Sequence, residues 1–168
     1  MQIEELVQRQ RAFYSTGTTL PVEFRMEALR KLKAEIRAME PEINRALEQD
    51  LGKSRMESYM CEVGMTLSEL SDLLAHTPAY FRPHRAATPL AQFHASSFTL
   101  AEPYGVVLVM SPWNYPFMLT LEPLLGAIAC GNCCVVKPSA YAPNTSPGIC
   151  GCRGGGTAGK SGPAEPAV

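Results

Sequence analysis

Tyr104–Ser139, YGVVLVMSPWNYPFMLTLEPLLGAIACGNCCVVKPS, decides the fold. It reads as a strand, a tight turn, a helix and a second strand, with a lone lysine leaving the second strand. Between Pro103 and Ser146 the only charged residues are Glu122 and Lys137. A stretch so apolar belongs inside a protein, and strands hydrophobic on both faces mark a parallel sheet covered by helices. The expected class is α/β: N-terminal helices followed by the first βαβ part of a Rossmann-like parallel sheet, which these residues leave incomplete.

Outward from that stretch, the charge moves to the first eighty residues. Ile3, Leu6, Val7, Gln10 and Phe13 keep helical spacing. Pro21 suits a first helical position, and Leu29, Leu32, Ile36 and Met39 line one face of the helix that follows. Pro41 opens a short helix with Ile43, Leu47 and Leu51 inside, and Gly52 closes it. Ser54 and Glu57 form a capping box for the next helix. Leu67, Leu70 and Leu74 carry its stripe as far as Pro78. Residues 1–81 are therefore read as helical, 82–103 as a crossing segment and strands, and 104–146 as the start of a nucleotide-binding unit. Within the middle part, Arg82–Thr88 reads as the crossing and Ala91–Ala101 as a strand pair.

The last 22 residues, 147–168, change character: they hold 7 Gly and 3 Pro. Such a composition buries too little apolar surface to offset the entropy of ordering, so a disordered Gly/Pro-rich tail is expected there. Its string Gly154, four residues, Gly159, Lys160, Ser161 spells a P-loop. A working P-loop needs a strand before it and a helix after it, and ICGCR and GPAEPAV provide neither.

Composition bounds the rest. Hydrophobic residues at 46%, charged residues at 18% and a net charge of −1 describe a globular protein without a broad footprint for nucleic acid or anionic membrane. No apolar run is long enough to span a bilayer, and the start MQIEELVQRQ does not read as a secretory signal. A cytoplasmic address with its six cysteines reduced is the expectation. Cys130, Cys133 and Cys134 offer C-x-x-C spacing, but on a buried helix end and strand start they read as small core hydrophobes, not as a metal site. Cys61 sits in a helical stripe. His76, His84 and His94 lack ligand or triad spacing.

The turn Pro112–Pro116 (PWNYP), the helix ending Gly126–Asn132 (GAIACGN) and the exit Val135–Ser139 (VVKPS) together resemble the aldehyde dehydrogenase superfamily. The nearest branch is that of the fatty-aldehyde and coniferyl-aldehyde dehydrogenases. The resemblance runs to about Ser146, roughly a third of a full member. It implies oxidation of an aldehyde to a carboxylic acid with NAD or NADP: a thiolate adds to the carbonyl, hydride leaves to the nicotinamide, and water releases the acyl group.

Residue by residue, the resemblance gives Asn114 the role of oxyanion donor, worth ~3–4 kcal/mol in comparable sites. On the residues alone, Asn114 shapes the turn ahead of Pro116. Met110, Ser111, Pro112 and Trp113 correspond to the nicotinamide-side cofactor contacts, although Trp113 by itself also fits a core aromatic. Tyr115 and Met118 correspond to the substrate tunnel, or else pack the helix start. Lys137 and Ser139 fall where the family holds the adenosine ribose or a phosphate, or else Lys137 merely reaches solvent. The usual pattern is KPSE, and Ala140 replaces that glutamate, which opens the choice between NAD and NADP.

The nucleophilic cysteine and the general base of the family have no match among these residues. The chain is therefore expected to be a truncated aldehyde dehydrogenase, inactive by itself. The other reading is a non-catalytic module for oligomerisation or interaction, either a homo-oligomer or bound to a full-length homologue.

Overall fold

The computed structural model of the chain describes residues 3–151. Helices dominate its first half: α1 (Ile3–Ser15), α2 (Val22–Ala38), α3 (Glu40–Leu51), α4 (Arg55–Ser58) and α5 (Gly64–Tyr80). The local signals act where they stand. Gly52 ends α3 in a left-handed conformation at φ 66°, and the Ser54 hydroxyl accepts the Glu57 N–H at 3.2 Å. Pro21 sits one place earlier than expected, as the extended residue preceding α2.

Between α4 and α5 the helix does not break; Tyr59–Val63 forms a π turn. A π turn accommodates one extra residue and is disfavoured, so it persists only where the surroundings demand it. Gly64 permits it, because a Cβ there would lie 2.7 Å from the Tyr59 carbonyl oxygen. α5 also runs through Pro78, where the leucine stripe stops, and ends at Tyr80.

The expected strand pair is real but placed differently. β1 (His84–Ala86) pairs antiparallel with β2 (Ser97–Thr99), so one strand lies in the segment read as a crossing. The short 3₁₀ turn Leu90–Gln92 falls inside the stretch read as strands. Three-residue strands are too short to show alternation, which explains the misplacement.

β3 (Val106–Met110) and β4 (Cys133–Lys137) are parallel, joined by α6 (Met118–Ala129), with Val106 opposite Cys133 and Met110 opposite Lys137. This is the expected βαβ unit. Asn132 clasps its base: its Oδ1 accepts the Gly105 N–H at 2.9 Å, and Cys133 N–H donates to the Gly105 carbonyl at 2.8 Å. The two-sided cover expected for a parallel sheet is only partial, since Leu108 is 61% and Met110 66% exposed.

The core joins all layers. Leu29, Leu32 and Ile36 of α2, Ile43 and Leu47 of α3, Leu70 and Leu73 of α5, and Phe117, Leu121, Leu124 and Leu125 around α6 form one buried cluster. The α1 stripe is only half-buried, with Gln10 alone fully inside.

A final helix, α7 (Thr145–Gly151), crosses the boundary expected at Pro147. Pro147 falls in its first turn, where a missing N–H costs nothing. Ile149 is fully buried in the main core, so these residues continue the fold. Asp50 of α3 secures the start of α7 by accepting the Thr145 N–H and hydroxyl, each at 2.7 Å, and the Asn144 side-chain amide at 2.8 Å. The rest of the segment read as a tail, including the P-loop string, lies outside the described residues.

Candidate functional site

The carboxyl ends of parallel strands are where open α/β sheets bind ligands, because helix N-termini and loops converge there. Here the ends of β3 and β4 lie side by side, and Ser111 N–H donates to the Lys137 carbonyl at 3.3 Å. That one contact brings together two stretches picked from the sequence, Met110–Trp113 and Lys137–Ser139. Lys137 is exposed, and its ammonium meets no partner among the described residues. Ser139 differs: it is buried, and its hydroxyl accepts the Tyr141 N–H at 3.2 Å, so it serves its own turn. The Ser111 and Thr120 hydroxyls are 2.5 Å apart, tying the end of β3 to α6.

The turn between β3 and α6 presents Pro112, Trp113, Asn114 and Tyr115 to the outside and buries Pro116 and Phe117. Asn114 is exposed, and its side-chain amide forms no hydrogen bond within the described residues. A donor left open at the mouth of a helix N-terminus suits an incoming oxyanion. Met118, half-buried, begins α6 immediately behind it.

Beneath the turn lies a pair of charges that sequence reasoning did not single out. Glu62, in the π turn, is fully buried; Lys53, just before α4, is 8% exposed. Their Nζ and Oε1 atoms are 2.5 Å apart. The second carboxylate oxygen of Glu62 accepts the backbone N–H groups of Phe117 at 2.9 Å and Met118 at 3.2 Å. Lys53 Nζ also donates to the Asn114 carbonyl at 3.3 Å and lies 4.1 Å from the centre of the Tyr115 ring. A carboxylate on the first N–H groups of a helix is favourable through both hydrogen bonding and the helix dipole.

The cysteines divide. Cys133 and Cys134 are buried at the start of β4, as expected, and burial raises the Cys133 thiol above its ordinary pKa. Cys130 is exposed, not buried, because it ends α6 at its surface-facing turn. No cluster of three or more potential metal ligands occurs among the described residues. No helix among them is long and apolar enough to cross a membrane.

Comparison with known proteins places this geometry. The sequence profile of the aldehyde dehydrogenase family matches residues 1–152. The chain belongs to the aldehyde dehydrogenase family. Its relatives include the 4,4'-diaponeurosporen-aldehyde dehydrogenase of Staphylococcus aureus (strain NCTC 8325 / PS 47), 40% identical over 86% of this chain and 31% of the relative. Aldehyde dehydrogenase family 3 member H1 of Arabidopsis thaliana is 41% identical, over 86% of this chain and 30% of its own length. Among solved structures, the substrate-bound state of Staphylococcus aureus AldH superposes with a TM-score of 0.87 at 39% identity, covering 90% of this chain and 33% of that one. The glyceraldehyde-3-phosphate dehydrogenase GapN of Methanocaldococcus jannaschii, complexed with NADP, shares the fold at a TM-score of 0.78 and 23% identity, over 89% of this chain and 31% of its own. The chain thus spans about a third of the length of these relatives.

Proposed function

We propose that this chain contributes the oxyanion donor and part of the cofactor wall of an NAD(P)-dependent aldehyde dehydrogenase. The observation that carries it is Asn114: an exposed amide with no hydrogen bond among the described residues, on a turn held from beneath by buried charge. When a thiolate adds to an aldehyde, the C–S bond forms and the carbonyl electron pair moves to oxygen. An amide N–H fixed beforehand stabilises that oxygen without reorganising, which is the source of its catalytic value.

The residues at the two strand ends fit a dinucleotide. Lys137 offers a cation with no partner among the described residues for a ribose or phosphate, and Met110 and Trp113 offer exposed apolar surface for a flat ring. Ser139 holds its own turn, so its contribution to binding is through shape. With Ala140 in place of an acidic side chain, the site has room for the added phosphate of NADP. The bound dinucleotide supplies the hydride acceptor, while these side chains bind and orient.

None of Cys130, Cys133 and Cys134 suits the attacking thiol: Cys133 and Cys134 are buried, with Cys133 pushed away from the thiolate form, and Cys130 ends the far side of a 12-residue helix from Asn114. A chimera replacing the matching third of the Staphylococcus aureus relative with residues 1–151 tests the assignment. Aldehyde-dependent reduction of NAD(P)⁺ is expected; a folded chimera without it would count against the proposal.

A second reading is favoured by one surface. Leu90, Phe93, Phe98 and Leu100, in and around the β1–β2 hairpin, are all exposed. Apolar exposure of this kind marks an interface, so the chain would associate with a second copy or with a full-length homologue. Sedimentation showing only monomer at micromolar concentration would argue against it.

A further inference from the structure

Phe117 anchors the far end of the Asn114 turn in the core, but the outer part of the turn has little to hold it by packing. Trp113, Asn114 and Tyr115 are all exposed, Trp113 by 55%. The Lys53–Glu62 pair reaches that outer part, with contacts on four of the five residues from Asn114 to Met118. The Lys53 ammonium takes the Asn114 carbonyl and the face of the Tyr115 ring. One Glu62 oxygen takes the N–H groups of Phe117 and Met118, and the other takes Lys53. Only Pro116 between them, which has no N–H to give, is left out.

Burying two opposite charges is a poor way to gain stability, because desolvation cancels most of their attraction. Directional hydrogen bonds from a buried charge do fix geometry. The π turn adds to this: Tyr59–Val63 departs from the α-helix at the residues that bring Glu62 to the N-terminus of α6. Val63, Thr66, Leu70 and Leu73 remain buried on the same continuous helix.

We infer that Lys53 and Glu62 are positioning residues for the oxyanion donor. They lock the backbone of the Asn114 turn so that its amide is presented in one orientation. Neither touches substrate. The inference rests on the reading of Asn114 given above, but its test does not require turnover.

Trp113 is the only tryptophan, so labelling tryptophan with ¹⁵N gives a single indole resonance beside Asn114. In the full 168-residue chain, Glu62→Gln and the double variant Lys53→Met with Glu62→Gln should shift and broaden that resonance. Lys53→Arg, which keeps the charge, should leave it close to its original position. Leu32→Ala, which weakens the core elsewhere, should lower stability without moving it. A purely structural role would make the pair behave like Leu32→Ala. An unmoved indole resonance in a folded Glu62→Gln chain would overturn the inference.

Hydrogen exchange of the unmodified chain decides the matter if the charge-removing variants do not fold. The Phe117 and Met118 amides should exchange at least ~100-fold more slowly than unprotected amides, as expected for native hydrogen bonds that open only with larger unfolding. Unprotected exchange at both would refute the clamp. A moved indole resonance together with an Asn114→Ala chimera of undiminished activity would leave the clamp standing and remove the oxyanion reading.

Discussion

Asp50→Ala should loosen the start of α7, leaving Ile149 to hold the helix to the core. Asp50 accepts four donors: the N–H and side-chain amide of Asn144, and the N–H and hydroxyl of Thr145. Asn144 is exposed, so water can replace its two bonds. Thr145 is buried, and its two donors would be left without an acceptor. At about 1 kcal/mol for each, the loss comes to about 2 kcal/mol, the upper end for removal of a helix cap. For a chain of this size that lowers the melting temperature by roughly 4–8 °C.

The effect must also depend on pH. Burial raises the Asp50 pKa, but the bonds from Thr145 and Asn144 together outweigh it, so the carboxyl titrates below its ordinary range. A lowered folded pKa means the stabilisation is complete above the unfolded value of about 3.9 and disappears as pH falls through the folded one. Urea unfolding of both proteins should therefore show the full difference at pH 7 and a smaller one near pH 3. A difference below about 0.5 kcal/mol at pH 7, or one unchanged at pH 3, would refute this reasoning.

Other outcomes follow from the same contacts. Gly64→Ala drives a Cβ to 2.7 Å from the Tyr59 carbonyl and should destabilise the chain by ~1–3 kcal/mol, measured by urea titration. Leu124→Ala, at a fully buried site of α6, should cost ~2–5 kcal/mol in the same assay. Asn132→Ala removes the acceptor of the buried Gly105 N–H and should cost ~1–3 kcal/mol, with faster hydrogen exchange at Gly105.

Much of this was legible in the sequence because the signals were local. An almost uncharged run with a turn in its middle declared the βαβ unit, and Gly52 and Ser54 marked helix ends by conformations and hydrogen bonds set within a few residues. The leucines and isoleucines of α2 and α3 went to the core on periodicity alone. What stayed hidden was non-local. Asp50 meets partners 94 and 95 positions away, and nothing nearby distinguishes it from a surface aspartate. Lys53 looks like an ordinary charge ahead of a helix and Glu62 like one within it; only tertiary packing buries them against a turn some 55 residues further on. The π turn has no propensity signature, and the close approach of Gly64 to the Tyr59 carbonyl is visible only in the fold. The helical start of the segment after Ser146 was obscured by its glycines and prolines, although Ile149 marked its buried side.

In the proposed function, Asn114 stabilises developing negative charge on an aldehyde oxygen. The most direct test of that role is kcat of the chimera carrying residues 1–151 of this chain, with and without Asn114→Ala. Loss of an oxyanion donor should lower kcat by about 100- to 1000-fold, with KM for NAD(P)⁺ nearly unchanged. A folded Asn114→Ala chimera with undiminished kcat would contradict the claim.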